Sequence, residues 1–135
     1  MIKTKGLLHI GVPVVSVSDA IQWFSDNMGF ELAYETDYLD HGVPEKVAFI
    51  QKGDVMYELY EYLEDPKRAA VLNSNHKIDH IAFRVENVDK AYEEAHRLNL
   101  QIIKPITDLP FWENGCRFFT VSTPNGDLVE YMQIF

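Results

Sequence analysis

Cysteine is all but missing from this chain: Cys116 stands alone among 135 residues. A lone thiol excludes an internal disulfide framework and points to a reducing compartment, so the expected location is cytoplasmic and Cys116 itself is expected to be a buried bystander. Long apolar runs are absent too. None approaches the roughly 20 residues that cross a bilayer, which excludes a membrane-spanning helix. The opening MIKTKGLLHIGVPVV carries two lysines and a short apolar stretch but no small-residue cleavage site, and reads as a strand rather than a leader. Basic residues are in the minority, 12 against 21 acidic, with a net charge of −9, and they are scattered. A phosphate backbone would be repelled by that balance, so neither nucleic acid nor a membrane surface is an expected partner. What remains is an ordinary mix for one globular domain spanning 1–135.

The informative feature is an internal repeat. LLHIGV (7–12) matches IDHIAF (78–83), which sets His9 and His80 71 residues apart. SDAIQWFSDNMGFEL (18–32) matches VDKAYEEAHRLNLQI (88–102), and KVAFI (46–50) matches RFFTV (117–121), again offset by 71. YELY (57–60) matches VEYM (129–132), with Glu58 and Glu130 72 apart. The order His, helix, strand, strand, Glu therefore occurs twice, which predicts two structurally equivalent units.

Each unit reads as βαβββ. In module 1, about 7–62, residues 7–14 alternate as a strand. Ala20, Ile21, Phe24 and Met28 recur at helical spacing over 18–28, between a Ser and Gly29. Strands are expected at 31–36, 45–51 and 54–62, with a hairpin turn at Lys52-Gly53. A polar, partly helical linker covers 63–76. In module 2, about 77–134, a strand at 77–85 leads to a helix over 88–98 capped by Asn87. Strands follow near 100–104, 116–122 and 127–134, with Pro124-Asn125-Gly126 turning the last two. The fold class is α+β: two βαβββ modules whose curled mixed sheets surround a metal-binding cavity.

Side chains alternate across a strand. His9 shares its face with Gly11, and His80 shares its face with Ala82, while the bulky residues point away. Glu58 and Glu130 each sit inside an apolar strand, where a carboxylate is costly unless paired or metal-bound. His9, Glu58, His80 and Glu130 thus form a matched set of two imidazoles and two carboxylates. Such a set suits one divalent ion, whether zinc, nickel, cobalt, manganese or ferrous iron. On an octahedral ion it leaves two positions for a ligand with neighbouring oxygens. His41, His76 and His96 lack repeat partners and read as surface or loop residues. Tyr60, on the Glu58 face, is expected to line the site, whereas Tyr57 has the opposite parity and packs. Arg117, with its repeat mate Lys46, is a candidate contact for an anionic substrate. Phe111 and Trp112 stand in a loop able to close over the cavity.

HIGV…GFEL…YELY and DHIAF…AYEEA…FFTVSTPNGDLVEYMQ resemble the vicinal oxygen chelate superfamily, which includes glyoxalase I, methylmalonyl-CoA epimerase, extradiol dioxygenases and fosfomycin or bleomycin resistance proteins. The resemblance runs from Leu7 to Gln133, and the turn followed by a strand with an internal Glu is among its more specific marks. It implies that His9, Glu58, His80 and Glu130 fall on the four metal positions of the glyoxalase and epimerase branch. It also implies a metal-dependent lyase, isomerase or epimerase that moves a proton beside a carbonyl through an enediolate. In that scheme Glu130 is the standing ligand and Glu58 the movable base. The sequence departs from glutathione-dependent bacterial members at Pro13 and Tyr62, where those carry the Arg and Asn that help hold glutathione. Two other readings stay open: a ferrous extradiol-type dioxygenase, and a protein that binds a small molecule such as an antibiotic. Members of the superfamily often pair, so a homodimer acting on a small molecule with vicinal oxygens is the expected assembly.

Overall fold

The computed structural model describes residues 1–73, 78–124 and 126–135. His76 and Asn125, and with them the end of the linker and the middle of the last turn, lie outside the described residues. The chain divides into two compact units, Ile10–Asp79 and Met1–His9 with His80–Phe135.

The unit Ile10–Asp79 carries the first module. Strand β1 (Leu7–Pro13) leads to helix α1 (Val17–Met28), then β2 (Glu31–Asp40), β3 (Val43–Lys52), β4 (Val55–Tyr62) and the short α2 (Lys67–Leu72). The helix begins where Ser16 accepts a hydrogen bond from the Asp19 backbone N–H, and ends at Gly29, whose φ of 72° is the left-handed conformation that favours glycine. β2, β3 and β4 pair antiparallel in sequence order, and β4 pairs parallel with β1. β2 outruns the expected 31–36 because His41 and Gly42, both at positive φ, close a tight hairpin between Asp40 and Val43. The next hairpin turns one residue later than expected, on Gly53-Asp54 between Lys52 and Val55. One face of this sheet packs Ala48, Ile50, Leu59 and Tyr57 against Ile21 and Phe24 of α1, so Tyr57 packs as its parity implies.

The other unit carries the second module: β5 (His80–Arg84), α3 (Val88–Arg97), β6 (Gln101–Leu109), β7 (Cys116–Ser122) and β8 (Leu128–Ile134). Asn87 caps α3 by accepting from the Lys90 N–H at 2.9 Å. β8 pairs parallel with β5 and antiparallel with β7, and β7 pairs with β6. Val88, Ala91 and Ala95 of α3 bury against Phe119 and Val121 of β7. β5 is shorter than the expected 77–85, and β6 runs past 104 to Leu109, where it pairs with Cys116.

The mixed α+β class and the twice-used βαβββ order are those read from the sequence, and the duplication reaches the register. Gly11 pairs with Glu58 in the first module and Ala82 with Glu130 in the second. In each case the glutamate stands beside the small residue two places after the histidine. The modules also share an irregularity: the pairing slips between Leu32 and Tyr34, and again between Ile102 and Lys104. Among the described residues, no helix is long and apolar enough to cross a membrane.

Candidate metal centre

β1 and β5 bring the two histidines together. The Lys5 N–H donates to the Arg84 carbonyl and the Arg84 N–H donates to the Gly6 carbonyl. Continuing that antiparallel alignment four residues along each strand sets His9 across from His80. Their Nε2 atoms are 3.0 Å apart, with the rings nearly perpendicular and their centroids 5.2 Å apart. β8 adds the carboxylate of Glu130, whose Oε1 lies 3.5 Å from His9 Nε2 and whose Oε2 lies 3.7 Å from His80 Nε2. All three residues are buried, His9 completely.

This cluster fits a metal ion on its own dimensions. Bonds of about 2.1 Å meeting at a right angle separate two ligand atoms by about 3.0 Å, the spacing of the two imidazole nitrogens. The oxygens, at 3.5 and 3.7 Å, lie between the about 3.0 Å of neighbouring and the about 4.2 Å of opposite positions around such an ion. The two Nε2 atoms stand within hydrogen-bonding distance of each other, and a cation held between them would require both to be unprotonated.

Glu58, the fourth residue of the matched set, belongs to the unit Ile10–Asp79 and is half-buried on β4. It shares a strand face with Tyr60, which is 7% exposed. Burial first, then the Asp79 and Glu58 carboxylates, push the Tyr60 phenol far above its ordinary range, and its hydroxyl donates to Asp79. Tyr60 is therefore a fixed, neutral donor. Burial and then Glu45 raise Tyr62 in the same direction.

Arg117 is not brought to the cluster. Thr120 is the register partner of Glu130, so alternation turns Arg117 to the opposite, α3-bearing face. There its guanidinium donates to both Asp108 oxygens, at 2.6 and 3.0 Å, and to both Asp89 oxygens at 3.2 Å. Those bonds hold the Asp108 carboxyl below its usual range. Lys46, its repeat mate, is exposed. Trp112 is half-buried with a φ of 66°, in a loop anchored by the buried Phe111 and by Gly115. Gly115 has a φ of 78°, and a Cβ there would meet the Leu109 carbonyl oxygen at 3.1 Å. The Phe135 N–H also donates to the Gly115 carbonyl, so the loop is closed tightly.

Two residues of the Glu130 face were not singled out from the sequence. Thr120 is 6% exposed and directly beside Glu130, and Lys104 pairs with Thr120 on the next strand. The only sequence signal for Lys104 is its slipped repeat offset, 70 rather than 71, from Tyr34.

Comparison with known proteins bears on the family and the fold. The chain is 28% identical over 132 residues to the protein YwbC of Bacillus subtilis (strain 168), covering 96% of this chain and 98% of that one. The crystal structure of the hypothetical protein BH1468 from Bacillus halodurans C-125 superposes with a TM-score of 0.80 at 25% identity, over 96% of this chain and 94% of that one. Methylmalonyl-CoA epimerase from Mycobacterium tuberculosis superposes with a TM-score of 0.80 at 22% identity, over 100% of this chain and 91% of that one, a likeness of fold. The model of the glyoxalase/bleomycin resistance protein/dioxygenase superfamily matches residues 6–131, and the chain belongs to that superfamily.

Proposed function

We propose that this chain is a divalent-metal-dependent enzyme that moves a proton beside a carbonyl, a lyase, isomerase or epimerase of the glyoxalase kind, on a small molecule with neighbouring oxygens. The observation that carries the proposal is the meeting of His9 Nε2, His80 Nε2 and the Glu130 carboxylate within 3.7 Å of one another in a buried position. In this reading those three residues hold the ion, and Glu58, at the equivalent place in the first module, is the fourth ligand and the base. A divalent ion bound there supplies positive charge against the negative charge that develops on substrate oxygens when the α-proton leaves. Glu58 takes that proton at a carboxylate oxygen and returns it. Glu130, more deeply buried, stays in place. Tyr60, held protonated beside Glu58, donates to oxygen and cannot itself serve as a base. Pro13 and Tyr62 occupy the positions that hold glutathione in other members, so a glutathione thioester is not part of the proposal. The working form is a cytoplasmic homodimer, and elution as a monomer at micromolar concentration would count against that part.

The test uses protein loaded with cobalt, nickel or zinc and a panel of α-hydroxy and α-keto compounds, scored for exchange of the α-hydrogen with solvent deuterium. Glu58→Gln is expected to keep the metal and lower exchange about 10²- to 10⁴-fold, the usual contribution of a positioned base. His80→Ala is expected to lose the metal. A wild-type protein that takes up no divalent ion sinks the reading, and a Glu58→Gln variant with full exchange removes the base assignment.

A second reading has one observation in its favour. Two histidines and one carboxylate within a single unit are the ligand set of ferrous oxygenases. Oxygen consumption by the iron-loaded protein with a catechol separates the two, and none is expected.

A further inference from the structure

Lys104 stands on the wrong side of its strand for a simple β-sheet. Its neighbours in parity, Ile102 and Ile106, both pack into the core beneath α3. Regular alternation would send Lys104 there with them. Instead the β6–β7 register slips on each side of Lys104, between Ile102 and Lys104 and between Lys104 and Thr107. Slips of this kind re-aim a side chain. Here they turn Lys104 to the opposite face, in register with Thr120, which is in register with Glu130. Ala82, Glu130, Thr120 and Lys104 form one row across four strands. Two strand spacings place the Lys104 backbone about 10 Å from that of Glu130.

The end of the side chain is held as well. Nζ sits 5.0 Å from the centroid of Phe118, a buried ring of the same face. Lys104 is half-buried. Among the described residues it makes no ion pair, so its ammonium is not committed to a carboxylate of the chain. The first module builds the same slip and puts Tyr34 at the equivalent place, in register with Phe49, which pairs with Glu58. The backbone device is duplicated, while the group it presents is a phenol in one module and an ammonium in the other.

We infer that Lys104 is a specificity-determining residue that receives a carboxylate borne by the substrate a few bonds from its metal-binding oxygens. The inference rests on the metal reading proposed for His9, His80 and Glu130. A single ammonium resting on an aromatic ring, with the Thr120 hydroxyl in the same row, matches a monoanion.

The test compares two hydroxamates on the cobalt-loaded full chain: acetohydroxamate, and the monohydroxamate of succinic acid, which adds a free carboxylate. Binding is read from the visible cobalt absorption. The wild type is expected to bind the carboxylate-bearing probe about tenfold more tightly, the size of one charge-assisted hydrogen bond. Lys104→Met keeps the stem against Phe118, so the fold persists. It is expected to bring the two affinities together while leaving that of acetohydroxamate unchanged, and Lys104→Arg is expected to keep most of the preference. Equal affinities in the wild type, or a preference that survives Lys104→Met, would overturn the inference while leaving the metal reading intact. A cobalt spectrum that responds to neither probe overturns the metal reading and this inference with it.

Discussion

At the scale of the residue, Tyr60 shows how position decides chemistry. Its phenol is buried beside the Asp79 and Glu58 carboxylates, so ionisation is opposed by both desolvation and charge. In the unfolded chain the same group ionises near pH 10.0. The folded value is raised, so the unfolded state releases its proton first. The resulting stability is present below pH 10.0 and is lost as pH rises beyond it. Urea denaturation at pH 8, 10 and 11 is expected to show that alkaline decline, and Tyr60→Phe to flatten it. An unchanged slope in Tyr60→Phe would remove Tyr60 as the cause. Arg117 makes the complementary case. Because its guanidinium is spent on Asp108 and Asp89 on the α3 face, Arg117→Ala is expected to leave metal content and deuterium exchange untouched. Parity alone separates Arg117 from Glu130, but only once the partner of Glu130 is known. The chain order does not say that Thr120, rather than a neighbour, faces it.

At the scale of the element, what could be read beforehand follows from periodicity. Val88, Ala91 and Ala95 recur at helical spacing, and α3 buries all three. Asn87 before them is the cap, its side chain accepting from Lys90 N. Asn87→Ala is expected to cost about 1 kcal/mol in chemical denaturation, the usual worth of such a cap. The matched His and Glu positions were legible for the same reason: a repeat of fixed length carries each to the same register, Glu58 beside Gly11 and Glu130 beside Ala82. The slips at Ala33 and Ile103 were not legible. An inserted residue in one strand is defined by what the other strand lacks, and neither Ala33 nor Ile103 announces it by side chain. Every parity argument beyond such a slip inverts, which is why Lys104 reads from sequence as an ordinary member of the Ile102–Ile106 stripe. The length of β2 was missed by a related blindness, since His41, a non-glycine at positive φ, shares the turn with Gly42.

At the scale of the whole molecule, the metal proposed for the buried cluster would tie stability to its binding. An ion that binds only the folded protein stabilises it by about 2.7 kcal/mol at a hundredfold excess over Kd. Saturating zinc or cobalt is therefore expected to raise Tm by several degrees, and a chelator to reverse the rise. His80→Ala should abolish the response, whereas the Lys104→Met protein should respond like the wild type. A Tm indifferent to metal in the wild type would contradict the role given to His9, His80 and Glu130.

The long β2–β3 hairpin has a consequence of another kind. β2 pairs only with β3 within its unit, and Glu35 and Asp37 are exposed on it. An open strand margin invites stacking by other copies, and like charges along it keep them apart. Taking those charges away withdraws the guard, so Glu35→Gln with Asp37→Asn should raise turbidity at high protein concentration, and a double variant as clear as the wild type would contradict that role.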